Sequence, residues 1–123
     1  MKLETKAFRV RQYPIYSEIR DFIKDMYILS SSFPKNEQYE LASQLRRAVT
    51  SILLNLIEGS ARKSDPEFNR FVLIAAGSAT EIVAIVDIAL DQSYITEETH
   101  AKVLAKVENI VKQLYGFSRK LKP

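Results

Sequence analysis

The stretch LASQLRRAVTSILLNLIEGSARKSDPEFNRFVLIAAGSATEIVAIVDIAL, residues 41–90, decides the fold. Its first half sets Leu41, Leu45, Ala48, Ile52 and Leu56 three or four residues apart, so their side chains recur on one face of a helix. Its second half, from Phe71 to Leu90, is apolar almost all the way round, as befits a helix enclosed by others. Between the two, Gly59 is placed to terminate a helix, and Ser64-Asp65-Pro66-Glu67 reads as a helix start. Serine takes the N-cap, proline is tolerated in the first turn, and glutamate at the third helical position completes a capping box. No segment alternates with a period of two, so no strand is predicted. The stretch is read as two long helices, about 39–60 and 65–92, joined by a tight turn.

Working outward, the same spacing recurs on both sides. Upstream, Ile15, Ile19, Phe22, Met26, Leu29 and Phe33 follow steps of 4, 3, 4, 3 and 4. Pro14 suits a first turn and Pro34 an end, which predicts a helix over 14–31. Downstream, Thr96-Glu97-Glu98 supplies a start with acids favoured by the helix dipole. Leu104, Val107, Val111, Leu114, Ser118 and Leu121 then carry the stripe to about 121. Four helices and short connections predict an all-α, antiparallel up-down-up-down four-helix bundle. With 123 residues there is enough chain for one core and not two, so 1–123 is read as a single domain with 1–12 as an amino-terminal arm.

The chemistry is sparse. There is no cysteine and His100 is the single histidine, which leaves disulfides, thiolate sites and multi-histidine metal sites without ligands. A carboxylate di-metal centre needs paired Glu-x-x-His motifs, which are missing. No glycine-rich phosphate loop is present, and Gly77-Ser78, within the third helix, is read as permitting close helix approach. The expectation is a non-enzymatic protein without catalytic residues, cofactor or metal. Phe71–Leu90 has the length of a membrane span, but Glu81 and Asp87 within it would be costly in lipid, so it is read as buried in protein. Met1–Val10 is polar and lacks the apolar run of a secretory signal, and the expected address is cytoplasmic.

Two faces exceed what a lone bundle needs. On the second helix, Leu53 and Ile57 lie roughly 100° from the main stripe and Leu54 lies further round. With the greasy third helix beside them, Leu53, Leu54 and Ile57 are read as an oligomer interface. Polar residues also align: Gln44, Arg47, Ser51, Asn55, Glu58 and Arg62 on one helix, Glu67, Arg70, Ser78 and Glu81 on the next. A tight turn would gather Glu58, Arg62, Glu67 and Arg70 into one charge cluster and let Arg46 or Arg47 meet Glu81. Three readings of this stripe compete: a structural network fixing register, outward arginines contacting phosphates, and a Glu58–Glu81 acid–base pair, which lacks any accompanying nucleophile. Tyr13, Tyr16 and Tyr27 are read as core-edge residues, and His100 as a partly buried surface histidine.

Charge is modest: 18 Lys and Arg against 15 Asp and Glu give +3, with a pI near 9.2. Its distribution is uneven. Lys2, Lys6, Arg9 and Arg11 face only Glu4 at the amino end, and Arg119, Lys120 and Lys122 close the chain, whereas residues 81–98 hold five acids and no base. Candidate nucleic-acid contacts are Arg9, Arg11, Arg62, Lys63, Arg119 and Lys120.

The run from Phe33 to Glu81 resembles a known family. Phe33-Pro34, Glu37, Tyr39, Leu41, Gln44-Leu45-Arg46-Arg47-Ala48, Ser51-Ile52, Asn55, Glu58-Gly59, Arg62, Ser64, Glu67-Phe68, Arg70-Phe71, Ala75, Gly77-Ser78 and Glu81 follow its pattern in order. It is similar to the small four-helix-bundle proteins encoded within intervening sequences of bacterial 23S rRNA genes, relatives of the accessory bundle protein of diversity-generating retroelements. The resemblance implies a homopentamer and, from the retroelement relatives, a basic surface for RNA or DNA and a reverse transcriptase partner. Five copies at +3 each would total +15. Where the family usually has Pro and Ala after Ser-Ile, and Ala before Glu-Gly, this chain has Leu53, Leu54 and Ile57, so its second helix should run straighter. Tyr13 stands where a tryptophan is usual. The expected function is that of an oligomeric nucleic-acid adaptor; the alternative is a structural or protein-interaction module without nucleic-acid binding.

Overall fold

The structure, a computed structural model, describes residues 8–123. Four helices follow one another: α1 (Pro14–Ser31), α2 (Leu41–Ser60), α3 (Asp65–Asp91) and α4 (Glu97–Lys120), with short 3-10 turns at Arg9–Gln12 and Lys35–Glu37. No strand occurs among the described residues. Each helix packs on its neighbours in sequence, and α1 closes the ring against α4. Pairings such as Ser51 with Ser78, His100 with Asp87, and Ser118 with Asn69 fix the antiparallel sense of α2–α3 and α3–α4. The expected up-down-up-down bundle is the observed one. The first seven residues of the expected arm lie outside the described residues.

The apolar spacing translates directly into burial. Ile15, Ile19, Phe22, Met26 and Phe33 are buried from the α1 side, as are Leu41, Leu45, Ala48, Ile52 and Leu56 from α2. In α3 the core face is built largely of small residues, Ala75, Ala76, Ala79 and Ala89 among Val72, Ile82, Ile85 and Val86. Small side chains let α3 run close to both flanking helices, which a bulkier stripe would not allow. Though long and apolar enough to cross a membrane by length and composition, α3 here turns this face into the bundle. On α4 the expected stripe is rotated by about one position. The buried seam is Val103, Val107, Ile110 and Leu114, while Leu104, Val111 and Leu121 lie half-buried at its edge. Both rows satisfy a seven-residue repeat, and spacing alone does not choose between them.

Helix ends follow local chemistry. The Ser64 hydroxyl accepts from the Glu67 N–H at 3.3 Å and Thr96 accepts from Thr99 N–H at 3.1 Å, as their sequences predict. α2 starts at Leu41 rather than Tyr39, because the 3-10 turn at Lys35–Glu37 carries the chain up to it. At the far end of α3, Tyr94 N–H reaches Ala89 O at 2.8 Å and Ser93 N–H reaches Leu90 O at 2.9 Å. This is a Schellman closure, and it puts Ser93 at φ 64°, a left-handed conformation that ordinarily goes to glycine.

Two glycines depart from the roles their sequence positions suggest. Gly59 does not end α2; it is buried one residue inside it, and α2 runs on to Ser60. A Cβ there would sit 2.7 Å from Phe71 Cβ and 2.9 Å from Phe68 Cδ1, so Gly59 is the point where α2 and α3 cross closely. Gly77, the residue expected to serve that purpose, faces open space: a Cβ on it would meet nothing within 4 Å. Gly59→Ala is therefore expected to lower stability in urea unfolding by about 1–3 kcal/mol through overpacking. Gly77→Ala should raise it by roughly 0.5–1 kcal/mol through helix propensity alone. Ser93→Gly should also stabilise, by up to about 1 kcal/mol, by removing the strain of a left-handed serine.

Candidate nucleic-acid interface

All six candidate cations fall at one end of the bundle, where α1 and α3 begin and α2 and α4 finish. Arg9 belongs to the 3-10 turn before α1, Arg62 to the turn after α2, and Arg119 and Lys120 to the last turn of α4. These four line one cleft of about 1020 Å³. Arg11 and Lys63 are exposed at the same end but outside its lining. The only carboxylate on that lining among the described residues is Asp65, whose Oδ2 accepts the Lys122 backbone N–H at 3.0 Å.

Aromatic rings floor the cleft. Tyr13 meets Phe117 edge-on with centroids 5.6 Å apart, and Phe117 meets Phe68 in the same way at 5.2 Å. Tyr13 remains 38% exposed, on the edge of the core as its position suggested. The sequence shows the cations but not this platform, because its three rings lie just ahead of α1, on α3 and on α4, up to 104 positions apart (13 to 117). The nearest signal was Tyr13-Pro14 together with Phe68, read one at a time.

Beside the cleft, the expected four-residue charge cluster resolves into two pairs. Arg62 Nη2 lies 2.8 Å from Glu58 Oε2, and Arg70 Nη1 lies 3.8 Å from Glu67 Oε2. The Phe71 ring stands between them, 4.7 Å from the Arg62 guanidinium and 5.7 Å from that of Arg70. These pairs are exposed, so each contributes at most about 1 kcal/mol and leaves both arginines accessible from solvent.

The polar stripe continues between α2 and α3 as a structural network. Ser51 and Ser78 hydroxyls meet at 2.8 Å, and Asn55 Nδ2 donates to Ser51 O at 2.8 Å and to its Oγ at 3.0 Å. Gln44 and Glu81 are exposed. Arg46 does not reach Glu81. It turns the other way, donating to Ser30 Oγ at 3.2 Å, Gln38 Oε1 at 3.4 Å and Gln38 O at 2.9 Å. Gln38 in turn donates to the carbonyls of Ser30 (3.0 Å) and Phe33 (2.9 Å). The Gln38 carbonyl lies in the connection between α1 and α2, and this backbone acceptor takes Arg46 in preference to a solvent-exposed carboxylate. Arg47 is exposed, and among the described residues no ion pair joins it to Glu81.

Opposite the cleft, the bundle is acidic: Glu37, Glu40, Asp91, Glu97 and Glu98 crowd its other tip. There Tyr94 donates to Glu37 Oε2 at 2.8 Å, a bond that, with burial, holds the phenol above its ordinary pKa. His100, mostly buried, bonds Asp87 Oδ1 at 2.7 Å.

The expected oligomer residues divide. Leu53 and Ile57 pack half-buried against the core, while Leu54 is 62% exposed. Further exposed apolar surface comes from α3, through Leu73, Ile74 and Ile88. On the other side of the bundle, α1 and α4 leave an apolar groove of about 640 Å³ over Phe22, Met26, Leu29 and Val103. The sequence marks α3 as a source of surplus apolar surface, but its uniform hydrophobicity gives no direction on a helical wheel and does not single out these residues.

Because Arg46 satisfies backbone and hydroxyl groups of the α1–α2 connection, Arg46→Ala is expected to cost about 1–3 kcal/mol in urea unfolding. Arg47→Ala, on the exposed face, should stay within about 0.5 kcal/mol of the native protein.

Residues 11–116 match the family model described as 23S rRNA-intervening sequence protein. That span takes in all of α1, α2 and α3 and most of α4, including the Gly59 crossing and the Ser51–Ser78 contact. No curated protein matches the chain. The chain belongs to the 23S rRNA-intervening sequence protein family.

Proposed function

We propose that this protein is a cytoplasmic, non-enzymatic, oligomeric adaptor that binds nucleic acid through the basic end of its bundle. The observation that carries this reading is the convergence of Arg9, Arg62, Arg119 and Lys120 on one cleft. They come from three separate parts of the chain, and among the described residues only one carboxylate shares the lining with them. A solvated charged surface ordinarily interleaves both signs, whereas a single-sign concavity concentrates field on a polyanion. At this end cations outnumber the nearby carboxylates Glu58, Asp65 and Glu67, and five further acids lie at the other tip.

The oligomer is the second half of the reading. Leu54 on α2 and Leu73 and Ile74 on α3 are exposed apolar side chains, and α1 and α4 leave an apolar groove on the other side of the bundle. Unlike surfaces on opposite sides favour a head-to-tail contact, which closes into a ring when the rotation permits. A homopentamer of this kind would repeat the basic end five times. A reverse transcriptase is the protein partner to test against such a ring.

Labelled RNA is expected to bind in gel shift at low salt and to weaken steeply as salt rises, with log affinity linear in log salt. Reversing Arg9 and Lys120 to Glu should weaken binding at least tenfold and flatten the salt slope by roughly one for each cation that touches a phosphate. Lys35→Glu, at the acidic tip, should change neither. Absence of retardation at low salt would remove the nucleic-acid half. Light scattering should give a multiple of 14.1 kDa, and Leu54→Asp should reduce it without loss of helical signal; an unchanged mass would refute this interface.

A further inference from the structure

A cleft built only to hold phosphates needs cations and hydrogen-bond donors. This one also has a ring platform. Tyr13 lines the cleft, exposed over more than a third of its surface and braced edge-on by Phe117, which is itself braced by Phe68. Buried rings of a core normally present no free surface, and a lone exposed tyrosine normally has no bracing. Here a partly exposed ring, packed on two others, lines a basic concavity. Resting on the nucleic-acid reading above, we infer that the cleft takes an unpaired nucleotide, its base stacked against Tyr13 and its phosphates held by Arg9, Arg119 and Lys120.

The geometry separates unpaired strands from duplexes. In a duplex the bases are stacked on one another inside a cylinder of phosphates, and no ring of the protein can reach a base face without extruding it. An unpaired nucleotide in a loop or at an end offers its base and phosphate together, and aromatic side chains beside a basic track are the ordinary means of holding it. The volume, about 1020 Å³, is large for one nucleotide and comfortable for a base with its flanking phosphates. The wall next to Phe117 is open because it is formed by Gly116. A Cβ there would approach only Arg119 Nη2, at 3.9 Å. A side chain at 116 would therefore occupy the cleft without displacing anything in the core.

Gly116 also supplies the test. Gly116→Leu keeps every cation and every ring, improves helix propensity, and fills the space where the base would lie. Fluorescence anisotropy at low salt would compare three probes: a short labelled oligouridylate, an abasic strand of the same length and backbone charge, and a duplex. The oligouridylate is expected to bind the native protein roughly tenfold more tightly than the abasic strand. Gly116→Leu should bring the two to the same weaker affinity, with circular dichroism unchanged. Equal binding of the oligouridylate and abasic strand by the native protein would overturn the inference while leaving the basic surface intact, as would an undiminished preference in Gly116→Leu or a preference for duplex. Failure of all three probes to bind would overturn the nucleic-acid reading, and this inference with it.

Discussion

The close crossing of α2 and α3 at Gly59 is the constraint on which the rest of the molecule depends. With 2.7 Å between a virtual Cβ and Phe71, no other residue fits without moving backbone. The crossing presses Phe68 and Phe71 against the end of α2. Phe68 then braces Phe117 on α4, and Phe117 braces Tyr13 ahead of α1. Phe71 meanwhile receives the guanidinium of Arg62. One absent side chain thus sets the spacing of four elements and aims the turn that carries a cleft cation. The small-residue face of α3 extends the same logic along the bundle, since a helix lined with alanine can stay close to its neighbours after the crossing has brought it there.

Much of the fold was legible because it rests on local and periodic signals. Helix stripes at Ile15–Phe33 and Leu41–Leu56, the N-caps at Ser64 and Thr96, and the proline boundaries all act within a few residues, and the chain obeys them. Where sequence and structure part, a nonlocal competitor decides. Gly59 and Gly77 look alike in sequence, and only the facing helix distinguishes a crossing from an open surface. Arg46 has a carboxylate at plausible register, yet the Gln38 carbonyl in the α1–α2 connection and the Ser30 hydroxyl capture it. The α4 stripe slips by one position because two equivalent heptad rows are available. The cations of the site were readable from charge alone, but their convergence with three rings was not, since it is created by the antiparallel return of the chain.

The polar contacts fall into two kinds with different consequences. Ser51, Ser78 and Asn55, and likewise Arg46 with Gln38 and Ser30, satisfy groups that folding removes from water. Such bonds add modest net stability but are expensive to break singly, and they define helix register more than they strengthen it. Arg62–Glu58 and Arg70–Glu67 are solvated pairs within one element or its turn, and they leave guanidinium groups available outside. A single sequence stripe therefore serves two purposes, sorted by depth.

The segregation of charge along the bundle axis has a consequence that the small net value conceals. An excess of arginines and lysines at one tip, and of glutamates and aspartates at the other, amounts to a permanent electric moment parallel to the helices. In a nonuniform field such a body experiences a torque as well as a pull, so it turns before it arrives. Encounters with any polyanion would begin already aligned, mouth foremost, and that alignment would fade once added ions shorten the reach of the field below the length of the molecule.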